Sequence, residues 1–261
     1  MNTYAVDYDA WADIYDVWVG STAAAEQNRR FYVEEYLSTP GVAVELGVGN
    51  GRIAIEAARQ GKALVGVDSS SEMLRRCRER AAAAGVLDRL TLLQADFRSF
   101  VLPQPAELIT IPLNTIGHLV SLDDKRAGLR QIFAQLAPGG RLIFDHFVFD
   151  PELAEAWDGA ARLRGEFRDL QTGREGLLWI TSRYDFASQT LRIIGLTEDL
   201  DEAGVVVRRQ VRRLGFSWLA PEQARTLLAE AGFVIEYVYG DFDGRPLDED
   251  AERQVWIARR P

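Results

Sequence analysis

A glycine-rich turn between a strand and a helix constrains the fold of this chain more than any other segment. Residues Val44 to Arg52 read VELGVGNGR, with glycines at positions 47, 49 and 51. An apolar run precedes them, and a helical pattern, RIAIEAARQG, follows them. Glycine permits positive φ and close approach of a ligand to the backbone, and the start of the helix offers free N–H groups. Taken alone, the turn is also compatible with an ordinary tight connection between a strand and a helix.

The region from about residue 41 to 147 repeats this order of strand and helix. The predicted strands are GVAVELG, ALVGVD, RLTLLQAD, AELITIPLN and RLIFDHFVF. Between them lie the helical patterns RIAIEAARQG, SSEMLRRCRERAAAAG with a serine N-cap, and KRAGLRQIFAQLAPGG with a glycine stop. Strands separated by helices of this length predict right-handed crossovers and a parallel sheet.

Two other regions depart from that alternation. Before residue 40, aromatic and apolar residues recur at helical spacing, and a second helix is predicted from Ala23 to Leu37. From about residue 162 to 218 long alternating strands follow one another without helices, which predicts an antiparallel meander of GLLWITSRYDF, TLRIIGLTEDL and VVVRRQVRRLGFSW. The predicted domains are an N-terminal helical lid (1–40), an α/β core (41–147 and 220–261) and an inserted antiparallel sheet (148–219).

Composition and charge narrow the classes of function. The chain has 261 residues, 47% of them hydrophobic, which suits one α/β domain with an elaboration. A net charge of -9 opposes binding to nucleic acid, and no apolar stretch is long enough to span a bilayer. The N-terminus lacks the basic start and apolar run of a secretory signal, so we expect a cytoplasmic protein without membrane partners. Cys77 is the only cysteine, which excludes an intrachain disulfide and a cysteine-based metal site.

Three carboxylates lie at the ends of successive predicted parallel strands, where open α/β sheets bind ligands. Glu45 is inside the glycine motif, Asp68 ends ALVGVD, and Asp96 follows RLTLLQA. Asp68 is placed to accept hydrogen bonds from ribose hydroxyls, and Asp96 to meet an adenine amino group. Each carboxylate alone is also compatible with a helix cap or a turn, but their ordered recurrence favours a nucleoside site.

The ordered set VELGVGNG, VGVDSSSEML, LLQADFRSF and LAPGGRLIFD resembles the class I S-adenosylmethionine-dependent methyltransferases. The resemblance covers essentially the whole chain. It implies a Rossmann-like seven-stranded sheet of order 3-2-1-4-5-7-6 with the last strand antiparallel. NAD-binding proteins also use glycine turns, but the spacing here is GxGxG and lacks the GxGxxG form.

The same resemblance assigns cofactor-binding positions by their place in the motifs. It implies that the glycine loop lies at the methionine part, that Asp68 holds the ribose, and that Asp96 and Phe97 contact the adenine. It also implies S-adenosylmethionine as cofactor and S-adenosylhomocysteine as product, with no metal. The cofactor-binding residues predicted in this way are Tyr15, Glu45, Gly47, Gly49, Asp68, Ser69, Met73, Asp96, Phe97 and Pro112.

The residues that bind the methyl acceptor are predicted from shorter sequence patterns than those that bind the cofactor. The pattern N-x-x-x-H-L in ITIPLNTIGHL resembles that of glycine N-methyltransferase and related small-molecule enzymes, and it lacks the (N/D)PP(Y/F) motif of DNA and protein-glutamine methyltransferases. His118 is the first candidate base, His146 the second, and Asn114 a residue that orients the acceptor. A structural histidine is an equal alternative for each. Trp11, Trp18 and Tyr184 are predicted substrate contacts, with a core role for the tryptophans as the alternative.

The function that these features predict is methyl transfer to the nitrogen or an electron-rich carbon of a small molecule, such as an amine, an amino sugar or an indole. The reaction would belong to secondary metabolism. Methylation of RNA or protein and cofactor binding without catalysis are the alternatives. The inserted sheet could also pair with a second copy in a homodimer.

Overall fold

The computed structural model describes residues 7–20, 23–168 and 172–261, and these residues form two β-sheets. The strands in chain order are β1 (Ala43–Leu46), β2 (Leu64–Asp68), β3 (Leu90–Gln94), β4 (Ala106–Ile111), β5 (Leu136–Phe147), β6 (Arg162–Arg168), β7 (Glu175–Asp185), β8 (Thr190–Leu200), β9 (Val206–Ser217), β10 (Val234–Tyr239) and β11 (Arg253–Arg259). The α-helices are α1 (Tyr15–Val19), α2 (Ala23–Ser38), α3 (Ala54–Arg59), α4 (Ser71–Ala83), α5 (Leu122–Gln135), α6 (Pro151–Trp157) and α7 (Pro221–Ala231).

The larger sheet has the order β10-β11-β5-β4-β1-β2-β3. Strands β1 to β5 pair in parallel, and β11 is antiparallel to both β5 and β10. Numbered within this sheet alone, the order is 3-2-1-4-5-7-6, so the predicted Rossmann-like topology is confirmed. All four residues of β1 are buried, because helices cover both faces of a parallel sheet and its central strands are therefore apolar throughout.

The smaller sheet, β6-β7-β8-β9, is antiparallel and lies in the chain between α6 and α7. One of its faces carries Leu178 and Leu214, which pack with Trp11 and Ile14 of the N-terminal segment (residues 7–20). We predicted three of its strands, whereas the structure adds β6 before them. The sequence of β6, RLRGEFR, is mostly exposed at the sheet edge, so burial imposes no alternating apolar pattern on it.

Two predicted helices differ from the structure. The N-terminal aromatic pattern forms a 3-10 turn at Asp9–Trp11 and the short helix α1, which is less helix than its spacing indicated. Helix α5 ends at Gln135 and not at the glycines, because the LAPGG segment already belongs to β5. The register with β4 is irregular there, and a Cβ on Gly140 would lie 2.9 Å from the carbonyl oxygen of Ala106, so this glycine allows the close approach.

Candidate functional site

A cavity of about 650 Å³ opens at the carboxyl ends of the parallel strands. The turns after β1, β2, β3 and β4 form its walls, the N-terminal segment contributes two tyrosines, and the connection from β7 to β8 closes one side. Its lining residues are Tyr8, Tyr15, Gly47, Gly49, Asp68, Ser69, Met73, Asp96, Phe97, Arg98, Thr115, His118, Leu119, Val120, Ser121, Asp124, Ser188 and Thr190.

The three glycines of the turn after β1 have positive φ but different surroundings. A Cβ on Gly47 would lie 2.5 Å from Thr115, and one on Gly51 would lie 2.7 Å from the sulfur of Cys77, so protein atoms fill both places. At Gly49 the nearest atom is the methyl of Met73, 3.8 Å away. Gly49 is therefore the position at which this backbone is open to a ligand in the cavity.

Asp68 connects the glycine turn to the start of α4. One carboxylate oxygen accepts from the backbone N–H of Gly49 at 2.8 Å and the other from that of Ser70 at 2.9 Å. Ser70 in turn caps α4 by accepting from the N–H of Met73 at 3.0 Å, as the serine N-cap prediction stated. Burial raises the pKa of Asp68 above its ordinary value. Its oxygens keep further lone pairs, so the carboxylate can still accept a hydrogen bond from a ligand.

Asp96 and Phe97 form the wall after β3 together with Arg98, which the sequence analysis did not single out. The Arg98 guanidinium binds Asp96 at 2.6 Å and Asp124, in the first turn of α5, at 2.5 Å. The hydrogen bonds from Arg98 hold the pKa of Asp96 below its usual range. An arginine two residues after a strand carboxylate is the signal that could have indicated this pairing.

Tyr8 and His118 form a hydrogen-bonded pair in the cavity wall. The tyrosine Oη lies 2.7 Å from Nε2 of His118, and burial lowers the pKa of His118 to about 3. Burial also raises the pKa of Tyr8 well above its ordinary value. Both side chains are thus uncharged near neutral pH, and we assign the shared proton to the tyrosine hydroxyl, which donates it to Nε2.

The N-terminal segment is fixed to the walls of the cavity by two aspartates. Asp9 accepts from the hydroxyl of Ser70 at 2.5 Å and from the N–H of Glu72 at 3.1 Å. Asp16 accepts from the side-chain amide of Asn50, in the glycine turn, at 2.9 Å. These contacts hold Tyr8 and Tyr15 over the cavity, and burial raises the pKa of Tyr15 to about 12.

Three residues that the sequence analysis assigned to the site lie next to the cavity walls without lining the cavity. Glu45 is buried beneath the glycine turn, accepts from the hydroxyl of Tyr36 at 3.2 Å, and has its pKa raised to about 8 by burial. Pro112 and Asn114 follow β4 without lining the cavity. Asn114 has φ +60°, and Asp145 of β5 accepts from its backbone N–H at 3.3 Å, so this residue shapes the turn that leads to His118.

The remaining predicted residues are not brought to the cavity, and their placement corrects the sequence-based interpretation. His146 is fully buried, and its ring packs against Phe147 and Phe216. Trp11 is also fully buried, with its ring against Gly195 of β8, and Trp18 packs beside it. Tyr184 joins an aromatic cluster that includes Trp218. For Trp11 the core alternative is therefore the correct one.

Other candidate features are accounted for by packing and ion pairs. Cys77 is buried, and burial raises the pKa of its thiol to about 12. Arg209 pairs with Glu198, and the buried Arg212 pairs with the exposed Asp13, so part of the arginine-rich strand forms ion pairs on the second sheet. Within residues 7–20, 23–168 and 172–261, no group of three or more His, Cys, Asp or Glu side chains is arranged to hold a metal. Over the same ranges, no helix combines the length and hydropathy needed to cross a membrane.

Comparisons with known proteins agree with this architecture. Residues 43–140 match a family model described as a methyltransferase domain. An uncharacterized methyltransferase of Geobacillus thermodenitrificans is 28% identical over 171 residues, which cover 62% of this chain and 75% of that protein. The CcbJ methyltransferase of Streptomyces caelestis has a TM-score of 0.78 at 22% identity, over 98% of both chains.

A third similar protein is an amino pentose methyltransferase of calicheamicin biosynthesis from Micromonospora echinaspora, solved with S-adenosylmethionine bound. It has a TM-score of 0.69 at 21% identity, over 100% of this chain and 99% of that chain. The family match places a methyltransferase domain on β1 to the start of β5. The resemblance to S-adenosylmethionine-dependent methyltransferases predicted from the motifs is confirmed, and the two solved structures confirm the fold.

Proposed function

We propose that this chain binds S-adenosylmethionine in the cavity and methylates an amino nitrogen of a small hydroxylated molecule, of which an amino sugar is the best example. One observation carries the proposal: the uncharged Tyr8–His118 pair lies in the same cavity as Gly49, Asp68 and Asp96. The amino pentose methyltransferase among the similar structures supports this choice of acceptor.

The residues of the cavity fit the cofactor. Gly49 leaves the backbone open, Asp68 has unused lone pairs for ribose hydroxyls, and Phe97 offers an aromatic face beside Asp96. When bound, S-adenosylmethionine would supply a methyl group already activated on a sulfonium and leave S-adenosylhomocysteine as product. The task of the protein is then to exclude water and to align the acceptor, which can contribute several kcal/mol.

His118 is better suited to orient an acceptor than to remove its proton. With a pKa of about 3, protonation of its imidazole at pH 7 would cost roughly 5 kcal/mol. The uncharged imidazole instead accepts from the Tyr8 hydroxyl, and the Tyr8 oxygen held in this way can accept from an amine N–H and direct the nitrogen lone pair towards the methyl carbon. The nitrogen–carbon bond forms as the carbon–sulfur bond breaks, and the methylated nitrogen afterwards loses its proton to water.

Hydroxyl groups dominate the acceptor side of the cavity. Thr115, Ser188 and Thr190 lie there with the two tyrosines, whereas the lining carboxylates lie on the turns after β2 and β3 and on α5. Neutral hydroxyl groups match the donors and acceptors of a sugar. This arrangement supports an amino sugar over an indole as acceptor.

The decisive experiment supplies isotope-labelled S-adenosylmethionine with a panel of amino sugars, simple amines, phenols and indoles. We expect label on an amino sugar nitrogen, and a loss of turnover in His118→Ala and Tyr8→Phe with cofactor affinity retained. Cofactor binding without transfer to any acceptor would favour a non-catalytic binding protein. Label on phenols or indoles alone, or unchanged turnover in His118→Ala, would contradict the proposal.

Methylation of RNA or of protein is the alternative, and the net charge of -9 together with the small cavity opposes it. Labelling of added RNA or of cell protein would favour the methylation of RNA or protein.

We also propose that the protein lies in the cytoplasm, as the sequence predicts.

We also propose a homodimer through the face of the second sheet that lies opposite Trp11. Trp179 and Leu196 pair on this face, and Val211 beside them is 47% exposed. Glu198 on this face is already paired with Arg209, so the apolar side chains would form the contact between the two copies. Sedimentation should give twice the 29.2 kDa chain mass; a monomer at micromolar concentration would exclude the dimer.

A further inference from the structure

Lys125 is a buried lysine that the proposed reaction does not use. It lies in the first turn of α5 with 1% of its surface exposed. Its Nζ donates to the carbonyl oxygen of Leu119 at 2.5 Å and to the hydroxyl of Ser217 at 2.6 Å. Among the described residues, no ion pair includes Lys125. Burying an ammonium group without a paired carboxylate costs free energy of folding, so we expect this lysine to have a function.

The two acceptors of Lys125 belong to different parts of the molecule. Leu119 follows the 3-10 turn Thr115–His118, and Ser217 is the last residue of β9 in the second sheet. The Ser217 hydroxyl also lies 2.9 Å from the carbonyl oxygen of Gly117, directly before His118. Lys125 and Ser217 therefore hold the backbone on both sides of His118 against the second sheet.

The charge of Lys125 also acts on both imidazoles of the chain. Burial is the main cause of the low pKa of His118 and of His146, and the nearby ammonium lowers both further. The groups that surround His118 are Tyr8 from the N-terminal segment, Phe216 from β9, Lys125 from α5 and His146 from β5. Lys125 is the charged side chain that acts on both imidazoles, whereas Arg253 acts on His146 and Asp124 acts on Lys125 itself.

We propose that Lys125 is a positioning residue for methyl transfer, which fixes the His118 turn to the second sheet beside the two imidazoles. The imidazole held in this way accepts from the Tyr8 hydroxyl, and the Tyr8 oxygen remains an acceptor for the amine. The role in catalysis rests on the function proposed above, whereas the connection between Lys125 and the imidazoles does not.

The first test needs neither a substrate nor a variant. Burial lowers the pKa of Lys125 to about 8, within the range where a folded protein is easily studied. The chain has only two histidines, so nitrogen NMR of labelled imidazoles gives two resolvable sets of signals. As pH rises through about 8, we expect both sets to shift together, because the ammonium charge beside them disappears. Histidine signals that stay constant from pH 7 to 9.5 would overturn the proposal.

The second test compares Lys125→Met with Lys62→Met. Lys62 is the only other lysine, and it also donates to backbone carbonyls, those of Thr39 and Gly41, but it does not line the cavity. Lys125→Met should remove the NMR inflection and reduce kcat about ten- to a hundredfold. Its affinity for S-adenosylmethionine should stay within about twofold, since Lys125 does not line the cavity. Lys62→Met should keep both the inflection and kcat.

The milder variant Ser217→Ala covers the case in which Lys125→Met does not fold. Removal of one acceptor destabilises the ammonium form, so the inflection should move to lower pH; an unmoved inflection contradicts the assigned network. Loss of the inflection in Lys125→Met with unchanged kcat would refute the positioning role alone. An intact inflection in a wild-type protein that methylates no acceptor would refute the proposed function and leave the Lys125 connection standing.

Discussion

At the scale of single residues, the three carboxylates at the carboxyl ends of β1, β2 and β3 have different environments and different uses. Glu45 is buried and has its pKa raised to about 8, so it is largely protonated at neutral pH. Asp68 accepts two backbone N–H groups and still borders the cavity. Asp96 is paired with Arg98. Asp68 is therefore the carboxylate whose replacement reports most directly on ligand binding.

We expect Asp68→Asn to weaken S-adenosylmethionine binding about 10- to 100-fold, since hydrogen bonds to a charged group contribute roughly 1.5–3 kcal/mol. Calorimetric titration measures the change. Asp88→Asn, at an exposed aspartate in the turn before β3, is the matched control and should leave the affinity unchanged. Equal affinity of Asp68→Asn and wild type would show that this carboxylate does not contact the cofactor.

His146 provides a pH test of burial. Its pKa is about 3 in the folded chain against an ordinary 6.5, so the unfolded chain takes up a proton as pH falls below 6.5 while the folded chain does not. Stability is therefore lost towards acid, by on the order of 2 kcal/mol from this residue between pH 7 and pH 5. In His146→Phe the fall in stability over that interval should be smaller by this amount. Urea unfolding at both pH values measures it, and equal falls would contradict the buried neutral assignment.

The sequence predicted the residues that act through short-range motifs and missed those that meet across the fold. Asp68 and the Ser70 cap lie next to the atoms they bind in sequence, so spacing alone indicates them. Tyr8 and His118 are 110 residues apart, and no local pattern joins them. Trp11 has the same helical spacing as Tyr8 and Tyr15, and only the position of the second sheet decides which of these rings is core.

At the scale of elements, alanine replacements at two glycines distinguish the cost of backbone strain from the loss of ligand binding. Gly49 and Gly85 both have positive φ, and a Cβ at Gly85 would meet nothing within 4 Å. Each replacement by alanine should cost about 1–2 kcal/mol of stability through strain. Gly49→Ala alone should abolish cofactor binding, because its Cβ enters the cavity. Thermal unfolding and calorimetry of both variants check this; retained binding in Gly49→Ala would place the cofactor elsewhere.

The N-terminal segment depends on the second sheet as well as on the cavity. Arg212, 3% exposed, donates at 2.6 Å to each of Ala10, Asp13 and Thr197. Arg212→Met keeps the aliphatic stem and removes these bonds, so backbone amides of residues 7–20 should exchange hydrogen at least about tenfold faster. Arg209→Met, at a 60% exposed side chain on the same strand, is the control and should leave that exchange unchanged. Equal exchange in both variants would contradict the role of Arg212.

Strands and helices were predicted most accurately where burial imposes an apolar pattern on the sequence. The parallel strands and the long strands β7, β8 and β9 carry apolar runs or alternation, and they form where predicted. Strand β6 and helix α6 lack such a pattern because they are largely exposed. The end of α5 was misplaced because the glycine pair, which often stops a helix, here shapes the irregular start of β5.

At the scale of the whole molecule, the two sheets and the N-terminal segment enclose one cavity between them. Residues 43–140, which match the methyltransferase family model, supply the glycine turn and carboxylates. The N-terminal segment supplies Tyr8 and Tyr15, and the second sheet supplies Thr190. Lys125 and Ser217 join the domain to the sheet beside His118. The family model ends at residue 140, so the N-terminal segment and the second sheet lie outside the matched region.

Isothermal titration of the purified chain with S-adenosylmethionine tests the central claim most directly. We predict one site per chain with a roughly micromolar dissociation constant, equivalent to about -8 kcal/mol, and competition by S-adenosylhomocysteine. Binding should also raise the unfolding temperature, and the rise should grow with the logarithm of the cofactor concentration above the dissociation constant. Absence of binding heat at millimolar cofactor, with the folded state verified, would contradict the assignment of the cavity.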